Sequence, residues 1–132
     1  MDRSLILIIE DDDDSREALA GFLRLSKFRV VTASDGREGL ALARHYCPKL
    51  ILLDINMPTM DGFVFRAQQR ADRAIQGVPV VVISARQDVA VMAEQLGAHG
   101  WLQKPLDFSQ VLAAIAGVRP AQPSKGEKND TR

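Results

Sequence analysis

The chain has 132 residues, 46% of them apolar and 26% charged, with 17 basic and 17 acidic side chains. A single domain of this size buries roughly two-thirds of its unfolded surface, enough for an independent core. Zero net charge gives the whole chain no electrostatic footprint for nucleic acid, no apolar run approaches the roughly 18 residues of a membrane span, and one cysteine, Cys47, forbids an intramolecular disulfide. Met1-Asp2-Arg3-Ser4 has neither the basic region nor the cleavage site of a signal peptide, so the expected compartment is a reducing cytoplasm.

Five apolar, β-branched-rich runs alternate with five helical patterns. The first run, Leu5–Ile9, stops on Glu10-Asp11. A helix over about Ser15 to Ser26 follows, with Ala18, Leu19, Phe22 and Leu25 on one face and Asp13 or Asp14 as its N-cap. The second strand is Arg29–Thr32, and the second helix follows Asp35, with Glu38 at the capping-box spacing. The third strand, Leu50–Leu53, stops on Asp54. The third helix follows Asp61-Gly62 and carries Phe63, Ala67, Ala71 and Ala74 at helical spacing. Pro79 opens the fourth strand, Val80–Ile83, at a position where a missing N–H is tolerated. The fourth helix spans about Gln87 to Leu96, with Val89, Met92 and Leu96 inward. Gly100–Leu102 is a short fifth strand. The fifth helix follows Asp107, with Gln110 at the capping-box position and Phe108, Val111, Leu112, Ile115 and Val118 as its stripe. The first, third and fourth strands are nearly continuous in apolar residues, as expected of strands covered on both faces. The alternation implies an α/β domain over 1–118, a doubly wound parallel sheet with right-handed crossovers. The tail from Arg119 to Arg132, rich in Pro, Gly and charge, is expected to be disordered.

In an open α/β sheet, ligands bind outside the carboxyl ends of the strands. Glu10 and Asp11 follow strand one, Asp54 strand three, Ser84 strand four and Lys104 strand five, so all five fall on one rim. Like charges about 4 Å apart repel by roughly 4 kcal/mol per pair at an effective dielectric near 20. Three adjacent carboxylates therefore call for a cation or a lysine in the same site. A calcium loop fits poorly, because the acidic run has no glycine at its sixth position and no glutamate at its twelfth.

Glu10-Asp11, Asp54-Ile55-Asn56-Met57-Pro58-Thr59-Met60-Asp61-Gly62, Ser84-Ala85 and Lys104-Pro105 occur in order, at strand ends. Together they resemble the receiver domain of two-component response regulators, over about residues 4–118. The resemblance implies a flavodoxin-like five-stranded sheet in the order 2-1-3-4-5 with helices on both faces. It implies Asp54 as phosphoacceptor, taking a phosphoryl group from a histidine kinase or histidine phosphotransfer protein. Glu10, Asp11, Asp54 and the backbone carbonyl of Asn56 would hold Mg²⁺, an ion that takes a few carboxylates and keeps several waters. Ser84 would bond one phosphoryl oxygen and Lys104 another. Ser84 and Trp101 would form the switch, with Trp101 standing where the family more often has Tyr or Phe. Helix four, strand five and helix five would present the signalling face to a downstream protein, with no direct contact to nucleic acid or membrane. The resemblance leaves open whether phosphorylation causes dimerisation, and whether this is a stand-alone regulator or the receiver of a larger kinase.

Each signal has a plainer alternative. Asp12 to Asp14 read as a solvated turn capping the first helix, and His45, His99 and Cys47 as structural residues. Arg86 and Asn56, two residues past Ser84 and Asp54, stand near the site entrance, where hydrolysis would be tuned. A haloacid-dehalogenase-type phosphatase also places a nucleophilic Asp after an apolar strand, but it needs a second Asp two residues on, where this chain has Asn56.

Overall fold

The computed structural model describes residues 2–55 and 61–118. Asn56, the expected carbonyl ligand, and the tail from 119 to 132 lie outside the described residues.

The elements follow the chain as β1 (Asp2–Ile9), α1 (Asp13–Leu25), β2 (Arg29–Ala33), α2 (Gly36–Tyr46), β3 (Pro48–Asp54), α3 (Gly62–Arg70), β4 (Val80–Ser84), α4 (Val89–Leu96), β5 (Gly100–Gln103) and α5 (Phe108–Gly117). The strands form one parallel sheet in the order β2-β1-β3-β4-β5. Both faces are covered, which is why the central strands are apolar at consecutive positions. Leu7, Ile9, Ile51, Leu53, Val80 and Val82 point into the layer that holds Leu40, Phe65, Val89 and Leu96. Ile6, Ile8, Leu50, Leu52, Val81 and Ile83 point into the other, with Leu19, Leu23, Val111 and Ile115. Successive side chains along each strand thus feed opposite cores.

Two helix faces differ from the sequence pattern. In α1 the buried residues are Leu19, Ala20 and Leu23, whereas Ala18 is exposed and Leu25 is 84% exposed. Of the stripe read from the sequence, Ala18, Leu19, Phe22 and Leu25, only Leu19 is fully inward. Phe22 is instead half-buried, stacked on Phe108 of α5 with ring centroids 4.2 Å apart. In α3 the inward face is Gly62, Phe65, Arg66 and Gln69, while Phe63, Ala67, Ala71 and Ala74 are exposed. Two polar residues lie on that face, so a search for apolar spacing selects the wrong stripe. Both are satisfied. Arg66 donates to the carbonyls of Leu96 and Gly97 and to Gln69, and Gln69 donates to the carbonyls of Ile75 and Val78. In α5, Val111 and Ile115 are buried, Val118 is half-buried just beyond the helix, and Phe108 and Leu112 are 39% and 37% exposed.

Helix starts share one chemistry: each of the five helices among the described residues has an aspartate at its N-cap. Asp12, and not Asp13 or Asp14, caps α1 by accepting from the Ser15 amide. Asp35 and Asp61 accept from Glu38 and Val64, and Asp107 from Ser109. Glu38 reaches back to the Ser34 amide, closing the expected box one residue early. His99 Nδ1 accepts the Val80 amide, and Cys47 ends α2 in the left-handed region at φ 46°.

The α3 face is testable. Phe65 is fully buried and Phe63 is not. Phe65→Ala should lower unfolding stability by about 3–5 kcal/mol in urea titrations, and Phe63→Ala by about 1 kcal/mol or less.

Candidate functional site

Register brings the strand ends to one rim. Ile9 pairs with Ala33 and Leu53, Asp54 with Ile83, and Ser84 with Gln103. Glu10 and Asp11 therefore emerge beside Asp54, the last residue of β3. Ser84 is the last residue of β4, and Lys104 follows β5. The polar side chains at this rim are unusually sequestered: Glu10 and Asp54 are each 5% exposed and Ser84 is fully buried.

Glu10, Asp11 and Asp54 each offer a carboxylate oxygen within 4.8 Å of the others. Lys104 closes the group. Its ammonium lies 2.7 Å from Glu10 Oε1 and 3.5 Å from Asp54 Oδ2. Neighbouring groups anchor Glu10 and Lys104. The Asp12 amide donates to Glu10 Oε2, and Arg16 donates to the Glu10 carbonyl. The Lys104 amide donates to the Ser84 carbonyl, joining strand ends four and five. The Lys104-Pro105 peptide is cis.

The electrostatics are those of an incompletely neutralised cluster. Burial pushes the Glu10 carboxyl up to about 7, and its hydrogen bond to Asp54 adds to the rise, outweighing the pull of Lys104. Burial works against the charge on Lys104, but Glu10 and Asp54 outweigh it and hold its ammonium above the usual lysine value. One lysine cannot balance three carboxylates. The donor set is all oxygen, partly buried and in excess of negative charge, which fits a small hard divalent cation such as Mg²⁺.

The structure brings together Glu10, Asp11, Asp54 and Lys104, all read from the sequence. Ser84 stands on the same rim, and its hydroxyl accepts the Arg86 amide at 3.0 Å. Trp101 lies apart from the cluster. It is 47% exposed on β5 and borders a cleft of about 410 Å³ with Leu102, Gln103, Gln110, Ala113 and Ala114. The sequence pattern did not reveal Arg16, whose guanidinium bridges the Glu10 carbonyl and Asp13. Its placement one turn into α1, below the acidic run, is the only sequence signal for it.

Residues 6–116 match the response regulator receiver domain family, and the chain belongs to it. That family comprises the receiver domains of two-component response regulators, which are phosphoacceptor signalling modules. The chain is 41% identical over 116 residues to the transcriptional regulatory protein PrrA of Mycobacterium tuberculosis, covering 86% of this chain and 48% of PrrA. The chain thus spans about half the length of such curated relatives. A chemotaxis response regulator of Vibrio cholerae has the same fold, with a TM-score of 0.79, 28% identity, and coverage of 87% of this chain and 98% of that one. So does the receiver domain of a sensor histidine kinase from Pseudomonas aeruginosa, described with magnesium in its active-site cleft: TM-score 0.78, 24% identity, 86% and 95% covered. Members of the family bind Mg²⁺ at an acidic pocket, and this chain carries an acidic cluster of Glu10, Asp11 and Asp54.

The Glu10 carboxyl has a consequence for stability. Folded, metal-free protein keeps a proton up to about pH 7 that the unfolded chain releases near 4.5. Stability from this group is therefore full below pH 4.5 and is lost as pH rises through 7. Chemical denaturation in EDTA should find Glu10→Gln increasingly more stable than wild type from about pH 5 to about pH 8. Parallel pH profiles would contradict the assignment.

Proposed function

We propose that Asp54 is the phosphoacceptor. The observation that carries this reading is the strand-end carboxylate held 3.5 Å from the Lys104 ammonium, beside Glu10 and Asp11. A carboxylate is ionised at neutral pH and needs no separate base to act as nucleophile. An Asp54 oxygen attacks the phosphorus of a phosphohistidine on a histidine kinase or a histidine phosphotransfer protein. The O–P bond forms as the P–N bond breaks and the imidazole leaves. Lys104, a compact charge on a flexible stem, moves from the carboxylates to a phosphoryl oxygen. The Ser84 hydroxyl donates to another.

Glu10, Asp11, Asp54 and the Asn56 carbonyl would hold Mg²⁺ in this reading, and the bound ion would supply positive charge against that of an incoming phosphoryl group. The domain takes part in its own phosphorylation and dephosphorylation and has no other catalytic output. Phosphorylation adds roughly −1.5 to −2 charges and three acceptor oxygens. Ser84 is drawn toward them, and Trp101 turns from its half-exposed position toward the space released. The face made by α4, β5 and α5 then changes its affinity for a downstream protein, a shift in a pre-existing equilibrium. No helix among the described residues is long and apolar enough to cross a membrane, which is in keeping with a cytoplasmic module.

Intact mass after incubation with Mg²⁺ and acetyl phosphate tests this. The expected result is one added phosphoryl group in wild type and none in Asp54→Asn or in wild type with EDTA. An adduct retained by Asp54→Asn would overturn the assignment. Trp101 is the sole tryptophan. Its emission should therefore shift to the blue as the adduct forms, and an unchanged spectrum would remove Trp101 from the switch.

A further inference from the structure

Four of the five N-cap aspartates do what that position favours: their carboxylates accept a helix amide. Asp88, the N-cap of α4, makes no side-chain cap hydrogen bond. Both of its oxygens are taken by Arg86, with Nε to Oδ1 at 2.8 Å and Nη2 to Oδ2 at 2.9 Å. Its backbone differs as well. The four capping aspartates are extended, with ψ between 116° and 171°, whereas Asp88 has ψ 22°. The α4 pattern in the sequence runs from about Gln87, yet the helix begins at Val89. The uncapped start therefore coincides with the Arg86–Asp88 pair.

Arg86 is also tied to the site. Its amide donates to the Ser84 hydroxyl, the group placed to meet a phosphoryl oxygen, and its carbonyl accepts from Gln103 of β5. The pair itself is half-exposed, at 50% and 47% side-chain accessibility. Such pairs are weak, so a stronger anion nearby can exchange one partner. A phosphoryl group near Ser84 is that anion, with more charge than one carboxylate and three acceptor oxygens.

We propose that the Arg86–Asp88 pair is a latch that withholds the N-cap of α4 until the site is phosphorylated. In the resting state Arg86 occupies Asp88. With the phosphoryl group in place, Arg86 leaves Asp88, whose backbone rotates to extended geometry. The freed carboxylate then accepts the Val91 amide, the same three-residue step used by Asp12, Asp35 and Asp61. The first turn of α4, part of the signalling face, becomes firmer only when phosphorylated. This mechanism rests on the phosphoacceptor reading above.

Amide hydrogen exchange at Val91, read by NMR on the full chain, tests the latch. Wild type, Arg86→Gln and Asp88→Ala would be compared with and without Mg²⁺ and acetyl phosphate, with intact mass taken on each sample. Both side chains are half-exposed, so the variants should fold, and unchanged exchange in β1 and β3 checks this. Expected is roughly fivefold slower exchange at Val91 in phosphorylated wild type, about the effect of one N-cap bond. Arg86→Gln should show that slowing without phosphorylation, and Asp88→Ala in neither condition. Unslowed exchange in Arg86→Gln, or slowing that survives in Asp88→Ala, would overturn the latch. A mass adduct with no change at Val91 sinks the latch and leaves the phosphoacceptor reading intact. Absence of the adduct sinks that reading, while unphosphorylated Arg86→Gln still decides whether Arg86 occupies the cap.

Discussion

The Lys104 ammonium, set between Glu10 and Asp54, is the contact on which the site depends. Carboxylates as close as these repel by several kcal/mol at protein dielectrics, and burial adds a desolvation cost. A fold that brings Glu10 and Asp54 to one rim at 5% exposure needs a positive charge in place before any ligand arrives. Lys104 supplies it from the far end of the chain, through β5 and the short segment after it. Burial, with the hydrogen bond to Asp54 adding to it, drives the Glu10 carboxyl up toward neutrality against the pull of Lys104. One lysine facing three carboxylates leaves an oxygen donor set suited to a divalent cation.

The sheet turns sequence into this geometry. Consecutive apolar residues in β1, β3 and β4 require cover on both faces, which the parallel βα order provides. Parallel register then aligns the carboxyl ends, and the residue at which each apolar run stops becomes a site residue. The loops beyond those ends connect the site to the helices. Ser84 accepts the Arg86 amide, Arg86 holds Asp88, and Asp88 is the N-cap of α4. The end of β4 therefore has a short covalent and hydrogen-bonded route to the start of α4.

The legibility of the sequence followed the strength of each physical signal. Strand ends were readable because an apolar run that stops on Glu10 or Asp54 seldom marks anything but the rim of a sheet, and the strand order agreed. N-caps at Asp35, Asp61 and Asp107 were readable because a short acidic residue before a helix has a local function. Helix faces were less so. In α3, burial of Arg66 and Gln69 depends on carbonyls from Leu96, Gly97, Ile75 and Val78, which lie beyond the helix itself. In α1 the small Ala20 is inside and the large Leu25 outside, the reverse of what size suggests. The sequence pattern of α4 runs from about Gln87, and the helix itself starts at Val89, after an Asp88 that is engaged by Arg86.

Lys104 and a divalent cation are expected to share the neutralisation of the same carboxylates. The most direct measurement is the gain in unfolding free energy on adding saturating Mg²⁺ at about pH 8, above the raised Glu10 value, for wild type and Lys104→Met. If the two cations share one charge cluster, the gain is larger in the variant, where the ion meets carboxylates with no lysine beside them. Equal gains would show that Lys104 and the ion act independently, and would contradict the account.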